Sequence, residues 1–456
     1  MKKSVLFLPA SIRSHVIPAL YLADQLSKEC DIYFAVTNEV LEEIVVRQGY
    51  NAIATGTFRV ALGMEGPYVF EKKNKASKWE TLKSIRNDDL FVHRQKELSK
   101  IVDRINASVI FIDIFNSTDL LVLYARYKNI KFIFLNPMLS TYRVNGFPTV
   151  DQGQWTENHG PEKGMSAKRK LSWKYLLSRP FDALITRAIE TQFERLINID
   201  GFSQKHPVAT DRTSALLFEN IPEIILGPLE LEVSPEVGKP NQHYLGLCIS
   251  ENRQDTELDL SFDNTFSIIL NKKKAGKRLI YCTFGTFYQG SDKALLDFLN
   301  KLLDAIEGIE NVEVIFSVTE LVIETLSYQR KIPNYINMFS RVPQLTVLKY
   351  ADLFVTHGGL GSIKESIYYG VPMLVYPLDL KYDQNGNGLK VEHHGLGLRG
   401  VFLHERSADM NKKMKELLIK DSFRENIRMF KNRIMSNTRK EKIIEEFFAL
   451  APQEIG

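Results

Sequence analysis

Short apolar runs without polar alternation recur along the N-terminal half of the chain, and this pattern is typical of strands buried in a parallel sheet. The runs are SVLFLPA, DIYFAVT, NAIATG, SVIFIDIF and KFIFLNP. Helical spacing follows the first two runs, in PALYLADQLSKE, with Pro18 near its start, and in EVLEEIVVRQG, which ends at Gly49. Strand alternating with helix predicts a doubly wound α/β domain.

The same alternation restarts in the C-terminal half. Strands are predicted at RLIYCTFGT, VEVIFSV, DLFVTH and PMLVYP, with a helix at ALLDFLNKLLDAIEG. The Pro- and Gly-containing span 227–246 is interpreted as a linker. We therefore predict two α/β domains, residues 1–240 and 241–456, with a helical insertion at about 150–205 and a last helix that could pack back on the first domain.

Composition narrows the function classes. A chain of 456 residues exceeds the size of one hydrophobic core, which agrees with two domains. The net charge of +4 is too small to indicate nucleic-acid binding. Cys30, Cys248 and Cys282 form neither a metal-ligand spacing nor a disulfide framework, so a cytoplasmic location is expected. No apolar stretch reaches the roughly 18 to 20 residues that a transmembrane segment requires.

The stretch THGGLGSIKES, residues 356–366, joins the strand DLFVTH to a short helix predicted from Ser362 to Tyr369. In an open α/β sheet, ligands bind at the carboxyl ends of the strands, where a helix N-terminus offers free N–H groups and partial positive charge. The glycines at 358, 359 and 361 would let a phosphate approach this backbone. Glu365 could accept hydrogen bonds from a ribose diol, or it could cap the helix with Ser362, because SIKE also fits a capping box.

This motif belongs to a longer stretch, RVPQLTVLKYADLFVTHGGLGSIKESIYYGVPMLVYPLDLKYDQNGNG, which resembles the signature region of the family 1 UDP-glycosyltransferases. The shared elements are PQ, THGG, ES, GVPM and DQ. FLPASIRSHVIPALYLADQL is similar to the family's N-terminal strand, His-bearing loop and helix. The resemblance implies the GT-B fold, with an N-terminal acceptor domain and a C-terminal donor domain facing each other across a cleft. It also implies an inverting transfer of a sugar from a UDP-sugar.

The resemblance assigns the diphosphate and ribose to the opening motif. His357 and the backbone around Gly359, Gly361 and Ser362 would hold the donor diphosphate, and Glu365 would bind the ribose. Thr286, in TFGTF, occupies the place of a small hydroxyl residue near the phosphates, although it could equally be a turn residue.

The nucleobase and the sugar are assigned to the two ends of the signature. Gln344 and the Val342 backbone would meet the uracil. Many members have a tryptophan where this chain has Arg341, whose guanidinium could stack on the base or could be a solvated surface charge. Asp383 and Gln384 would hold the hydroxyls of the sugar, for which glucose is expected.

One departure from the family pattern affects the sugar contacts. Two extra residues precede Asp383, within LDLKY, and they make Asp379 a rival carboxylate.

The acceptor side supplies the chemistry. His15 follows the first strand and would be the general base, with Asp113, late in another strand, as the partner that fixes its tautomer. Asp119 is the alternative partner, and His15 could instead be a loop or capping residue. The chain has no D-x-D donor motif. We therefore expect no metal and no cofactor, since the UDP-sugar is a co-substrate and a helix N-terminus with His357 can offset the diphosphate charge.

Other interpretations remain open at this stage. They are a transferase for a lipid-linked acceptor, a sugar-nucleotide epimerase and a non-catalytic sugar-nucleotide binding protein. The expected partners are a nucleotide sugar and a small lipophilic or aromatic acceptor, which the many aromatic residues of the first half suggest. The basic segment Lys168–Lys174 could touch an anionic membrane surface, or it could be a solvated helix face. A monomer or a homodimer is expected.

Overall fold

The computed structural model describes residues 2–74, 77–155, 179–213, 215–234, 237–285, 293–380 and 382–437. Two parallel sheets organise this part of the chain, and helices cover both faces of each sheet. This arrangement explains the sequence pattern, because strands buried on both faces carry continuous apolar runs. The fold class predicted from the sequence, two doubly wound Rossmann-like α/β domains, is thereby confirmed.

The first sheet has seven strands in the order β3-β2-β1-β4-β5-β6-β7. Its strands are β1 Lys3–Leu8, β2 Cys30–Val36, β3 Asn51–Ala54, β4 Ala107–Asp113, β5 Lys131–Asn136, β6 Glu223–Ile225 and β7 Gln242–Tyr244. The helices around it are α1 Arg13–Leu26, α2 Glu39–Arg47, α3 Glu65–Lys73, α4 Lys78–Arg86, α5 Asp89–Ile105, α6 Asp119–Tyr124, α7 Pro180–Ile197 and α8 Phe202–Lys205.

The second sheet has six strands in the order β10-β9-β8-β11-β12-β13. Its strands are β8 Arg278–Thr283, β9 Val312–Ser317, β10 Ile336–Phe339, β11 Leu353–Thr356, β12 Met373–Val375 and β13 Gly397–Arg399. Its helices are α9 Phe262–Lys274, α10 Lys293–Glu307, α11 Glu320–Gln329, α12 Gln344–Leu348, α13 Leu360–Tyr369, α14 Asp383–His393, α15 Ser407–Ile419 and α16 Asp421–Met435. In both sheets the strand order reverses beside the first strand, which opens a crevice at the carboxyl edge.

The strands predicted from apolar runs are all present, but several boundaries differ. Helix α1 begins at Arg13, so Pro18 lies inside the helix and not at its start. Strand β7 belongs to the first sheet, although it lies within the predicted linker and just beyond residue 240. Of the predicted insertion, α7 packs against α4, and residues 156–178, which include the basic segment, lie outside the described part of the chain. No helix in the described ranges is long and apolar enough to cross a membrane.

The two domains touch at several points that fix the cleft between them. Buried Lys364, on α13, donates a hydrogen bond to the Leu226 carbonyl at the end of β6. Ser250 donates from the second half of the chain to Asp24 on α1, at 2.8 Å. The end of α16 also reaches the first half, since Asn437 donates to Glu230 at 2.9 Å. The rest of the predicted last helix, from residue 438 onward, lies outside the described residues.

Candidate functional site

A cavity of about 470 Å³ lies between the carboxyl edges of the two sheets. Its wall on the first domain includes the start of α1, Phe115, Pro137 and Met138. Eleven of the predicted site residues line this cavity, ten of them on the second-domain wall and His15 on the first-domain wall. These residues are His15, Arg341, Val342, Gln344, His357, Gly359, Gly361, Ser362, Glu365, Asp383 and Gln384. Thr286 lies outside the described residues, in the gap 286–292, and Asp113 lies behind His15.

His15 and Asp113 form a buried pair at the first-domain wall. The sheet order places β1 beside β4, so the first turn of α1 meets the end of β4. His15 Nδ1 lies 2.8 Å from Asp113 Oδ2, and the other carboxylate oxygen accepts the Phe115 N–H at 2.9 Å. Asp113 is therefore held on both oxygens, and the imidazole has its Nε2 left to face the cavity. The Asn116 amide donates to the Leu8 and Pro9 carbonyls and fixes the loop between β1 and α1.

Asp119, the alternative partner, is engaged elsewhere. Its carboxylate is fully buried and accepts two hydrogen bonds from Arg94, at 2.9 and 2.7 Å. Arg59 completes this buried ion pair with its Nε 3.1 Å from Asp119. Burial raises the pKa of Asp119, but the two guanidinium groups outweigh it and the net shift is downward. Asp119 is thus a structural anion, and it does not orient His15.

The loop after β11 presents backbone N–H groups to the cavity. Gly358 has a φ of 86°, and a Cβ there would lie 2.7 Å from Val375, so only glycine fits at this turn. Helix α13 then starts at Leu360, with Gly359 as the N-cap. The helix begins two residues earlier than predicted, and its first turn with Gly361 and Ser362 offers the unpaired N–H groups that an anion requires.

His357 stands at the end of β11 between Gly285 and Gly359. A Cβ at either glycine would come within 2.8 Å of the imidazole, so the ring fills the space that these glycines leave. Burial lowers the pKa of His357 to about 4. The imidazole is consequently neutral near pH 7 in the free protein and carries a single N–H, and a hydrogen bond with the Thr283 backbone opposes the shift.

Glu365 lies in the middle of α13 with its carboxylate held on both oxygens. Arg253 Nη1 donates to Oε1 and the Gln344 amide donates to Oε2, each at 2.6 Å. The capping-box interpretation is wrong, because the N-cap is Gly359 and both Ser362 and Glu365 lie inside the helix. The Gln344 side chain also donates to Ser362 at 3.3 Å and accepts from the Tyr281 hydroxyl at 3.3 Å. It lines the cavity, and its contact with uracil stays a prediction.

Arg341 is at the rim of the cavity beside a contact between the two domains. Its Nη2 lies 3.9 Å from Glu257, which also pairs with Arg13 of α1. Arg13 further donates to Thr256 Oγ1 at 3.0 Å. Burial and the nearby Arg341 charge lower the pKa of Arg13. The guanidinium of Arg341 is thus a cavity-lining charge next to an ion pair, and not an isolated surface charge.

The far end of the cavity is built by the start of α14. The Gln384 amide oxygen accepts the N–H groups of Leu378 and Asp379, at 3.0 and 3.1 Å, so its nitrogen is the part that can meet a sugar. Asp383 lines the cavity, whereas Asp379 is absent from the lining residues in the described chain. Burial raises the pKa of Asp383, and Asn387 and the His15 charge oppose this shift.

Helix α14 starts at Asp383 itself, and its glycines lie within the helix. A Cβ on Gly386 would clash with the Val150 carbonyl oxygen, because the segment 149–153 of the first domain crosses this helix. Asn387 donates to Asp383 at 2.9 Å and to the Gly358 carbonyl at 3.0 Å. It thereby ties the start of α14 to the loop after β11.

Sequence reasoning missed Arg253, Asp255 and Asn387. Arg253 and Asp255 lie in a charged loop after the predicted linker, and neither periodicity nor a motif distinguishes them from surface charges. Asn387 stands in NGNG, within helix α14. The polar residue between the two glycines was the available signal, because it lies one helical turn after Asp383.

Two facing Rossmann-like sheets with a ligand cavity between their carboxyl edges define the GT-B class of fold. A solved structure described as the glycosyltransferase of kitacinnamycin superposes on 98% of this chain and 98% of its own, with a TM-score of 0.65 and 16% identity. At that identity the likeness establishes the shared fold.

Sequence relatives agree with this class. Residues 299–440 match the family described as UDP-glucoronosyl and UDP-glucosyl transferase. YdhE of Bacillus subtilis, an uncharacterized UDP-glucosyltransferase, is 32% identical over 26% of this chain and 28% of its own. The NDP-glycosyltransferase YjiC of the same organism is 27% identical over 41% of this chain and 44% of its own. The chain thus spans less than half the length of these curated relatives.

The match to the family model lies in the C-terminal domain and includes the signature stretch on which the sequence resemblance rests.

Proposed function

We propose that this protein is an inverting glycosyltransferase that moves glucose from UDP-glucose to a hydroxyl group of a small lipophilic acceptor. The His15–Asp113 pair carries this proposal. Its 2.8 Å contact orients an imidazole toward the same cavity that Asp383 and the α13 N-terminus line from the other domain. A sugar-nucleotide binding protein would have no use for this pair. YdhE and YjiC, which bear transferase names, support the same activity.

The chemistry requires a base on the acceptor side. His15 Nε2 takes the proton from the acceptor hydroxyl, whose oxygen forms a bond to the anomeric carbon of the sugar. The bond from that carbon to the diphosphate oxygen breaks on the opposite face, and UDP departs with the electron pair. Asp113 stabilises the imidazolium formed in this step and keeps the Nδ1 proton on its own side of the ring.

The leaving diphosphate requires positive charge at the donor wall. The N-terminus of α13 supplies aligned N–H groups, and neutral His357 adds one donor. Glu365 is oriented for the ribose hydroxyls, and Asp383 with the Gln384 amide nitrogen for the sugar hydroxyls. This set of residues operates without a metal or a cofactor in the proposed reaction.

The acceptor side of the cavity is apolar next to the base. Phe115, Pro137, Met138 and Ile12 line it around His15, and the Phe115 ring lies 5.0 Å from the imidazole. Other aromatic residues of the first half lie in the core; Tyr68, for example, is a buried core residue. The wall favours a lipophilic acceptor that presents one hydroxyl to His15.

The decisive test measures UDP release from UDP-glucose, with and without a panel of lipophilic hydroxyl compounds. We expect UDP release only with an acceptor and formation of a β-linked product. Sugar isomerisation without an acceptor would identify an epimerase, and binding without turnover would identify a binding protein. Adding EDTA should leave the rate unchanged; a loss that a divalent ion restores would contradict the metal-independent mechanism.

A further inference from the structure

The carboxylates of Asp255 and Glu365 are joined by the guanidinium of Arg253 on the second-domain wall of the cavity. Arg253 Nε donates to Asp255 Oδ1 at 2.9 Å, and its Nη1 donates to Glu365 Oε1 at 2.6 Å. All three side chains line the cavity, and the Arg253 side chain is only 12% exposed. Arg253 reaches across 112 positions of sequence to a helix in the signature region. These contacts belong to no motif recognised in the sequence.

The contacts have a consequence for Glu365. A carboxylate in the middle of a helix, with no partner, can rotate among rotamers and can swing away from a ligand. Here Arg253 holds one oxygen and Gln344 holds the other, so the carboxylate plane is fixed before any ligand enters. Each oxygen still has a lone pair, and the two can accept hydrogen bonds from neighbouring hydroxyls.

We propose that Arg253, anchored by Asp255, is a positioning residue that fixes Glu365 for recognition of the ribose diol and thereby sets the preference for ribonucleotide over 2′-deoxyribonucleotide donors. This inference rests on the proposed binding of a UDP-sugar. Arg253 acts through Glu365, so its removal should weaken binding most for a ligand that presents both ribose hydroxyls. A lysine cannot replace it, because an ammonium is a point charge and lacks the planar fork that bridges two carboxylates.

The test compares binding of UDP and 2′-deoxy-UDP by titration calorimetry. Wild type should prefer UDP by about 10- to 100-fold, the range for a hydrogen bond to a charged group. Arg253→Met and Arg253→Lys should reduce this ratio to within a few-fold of one, and mostly by weakening UDP. Asp255→Asn should reduce it less, because it removes the anchor and leaves the contact with Glu365.

Arg341→Met is the matched control, since Arg341 is a second arginine on the same cavity wall. It should weaken UDP and 2′-deoxy-UDP equally and keep their ratio. Melting curves identify any variant that fails to fold. If Arg253→Met does not fold, the ratio of UDP to 2′-deoxy-UDP affinity in Arg253→Lys and in Asp255→Asn tests the inference. A wild-type ratio retained in Arg253→Lys and Arg253→Met would overturn the inference. No UDP binding by wild type would instead overturn the proposed function on which it rests.

Discussion

The two walls of the cavity are built on different physical principles. The first-domain wall places a single dyad, His15 and Asp113, on an otherwise apolar surface that includes Phe115. The second-domain wall consists of backbone N–H groups and a network of charged side chains around Glu365. One wall is suited to moving a proton, and the other is suited to holding an anion. Turnover and donor affinity should therefore respond to different substitutions.

The largest effect should come from the first wall. His15→Ala should lower turnover by roughly two to four orders of magnitude, which is the usual contribution of a general base, and should leave the Kd for UDP nearly unchanged. Asp113→Asn should lower turnover less, because the imidazole remains but its tautomer is no longer fixed. Steady-state rates with a hydroxyl acceptor, next to UDP titrations, measure both quantities.

Near-native turnover by His15→Ala would contradict the expectation that the first-domain wall sets the rate and the second-domain wall sets donor affinity. Asp119→Asn is a useful comparison, because Asp119 is the neighbouring buried carboxylate that pairs with Arg94. That variant should lose stability in a melting curve, since it removes the carboxylate that the buried guanidinium groups of Arg59 and Arg94 share. The correctly folded part of the Asp119→Asn protein should keep the wild-type turnover number.

The second wall should give the next effect. Glu365→Ala should weaken UDP binding by about 1 to 3 kcal/mol, because charge-assisted hydrogen bonds to the ribose are lost. Titration calorimetry beside a melting curve measures affinity and stability separately. Unchanged affinity with a lowered melting temperature would mean that Glu365 only organises Arg253 and Gln344 in the folded chain.

The sugar end sharpens the comparison further. UDP-glucose should be used one to two decades faster than UDP-galactose, since an inverted hydroxyl would leave a buried polar group unpaired, at about 1 to 3 kcal/mol. Asp383→Ala should lose this selectivity, and Asp379→Ala should keep it, because Asp383 is the carboxylate that lines the cavity. Donor competition assays with both variants measure the ratio. Equal use of the two sugars by wild type would refute the selectivity.

The smallest effect concerns pH. Burial lowers the pKa of His357, and that of His394 on the far side of α14, from 6.5 to about 4. Between these values the unfolded chain binds protons that the folded chain does not, so stability should fall as pH drops from about 6.5 toward 4. Melting temperatures across this window should show the slope, and His394→Gln should flatten it.

Binding of UDP should change the contribution of His357 to the pH dependence of the melting temperature. A bound diphosphate favours the charged imidazole, which raises the pKa of His357 and lets the folded protein take up the proton. Saturating UDP should therefore reduce the slope in wild type and have no such effect in His357→Gln. The exposed His404 offers a control, since its replacement by glutamine should leave the slope as it is.

Sequence patterns were sufficient wherever the information is local. Continuous apolar runs identified the central strands of both sheets, because a strand buried on two faces has no polar alternation. His357, Gly359 and Glu365 were found together, because one strand–loop–helix unit carries them within a few residues. Helix boundaries were less accurate: α1 and α13 both start before the predicted residue.

Short-range spacing was enough to predict the two α/β halves, the glycine-rich turn after β11 and the candidate base. Tertiary structure alone decided which carboxylate each group meets. His15 pairs with Asp113 and not Asp119, and Arg253 pairs with Glu365, across 98 and 112 positions. Such pairings follow from the strand order and from the packing of one domain on the other. Spacing along the chain cannot reveal these pairings, because the local sequence around a charged residue does not show whether its side chain is buried or solvated.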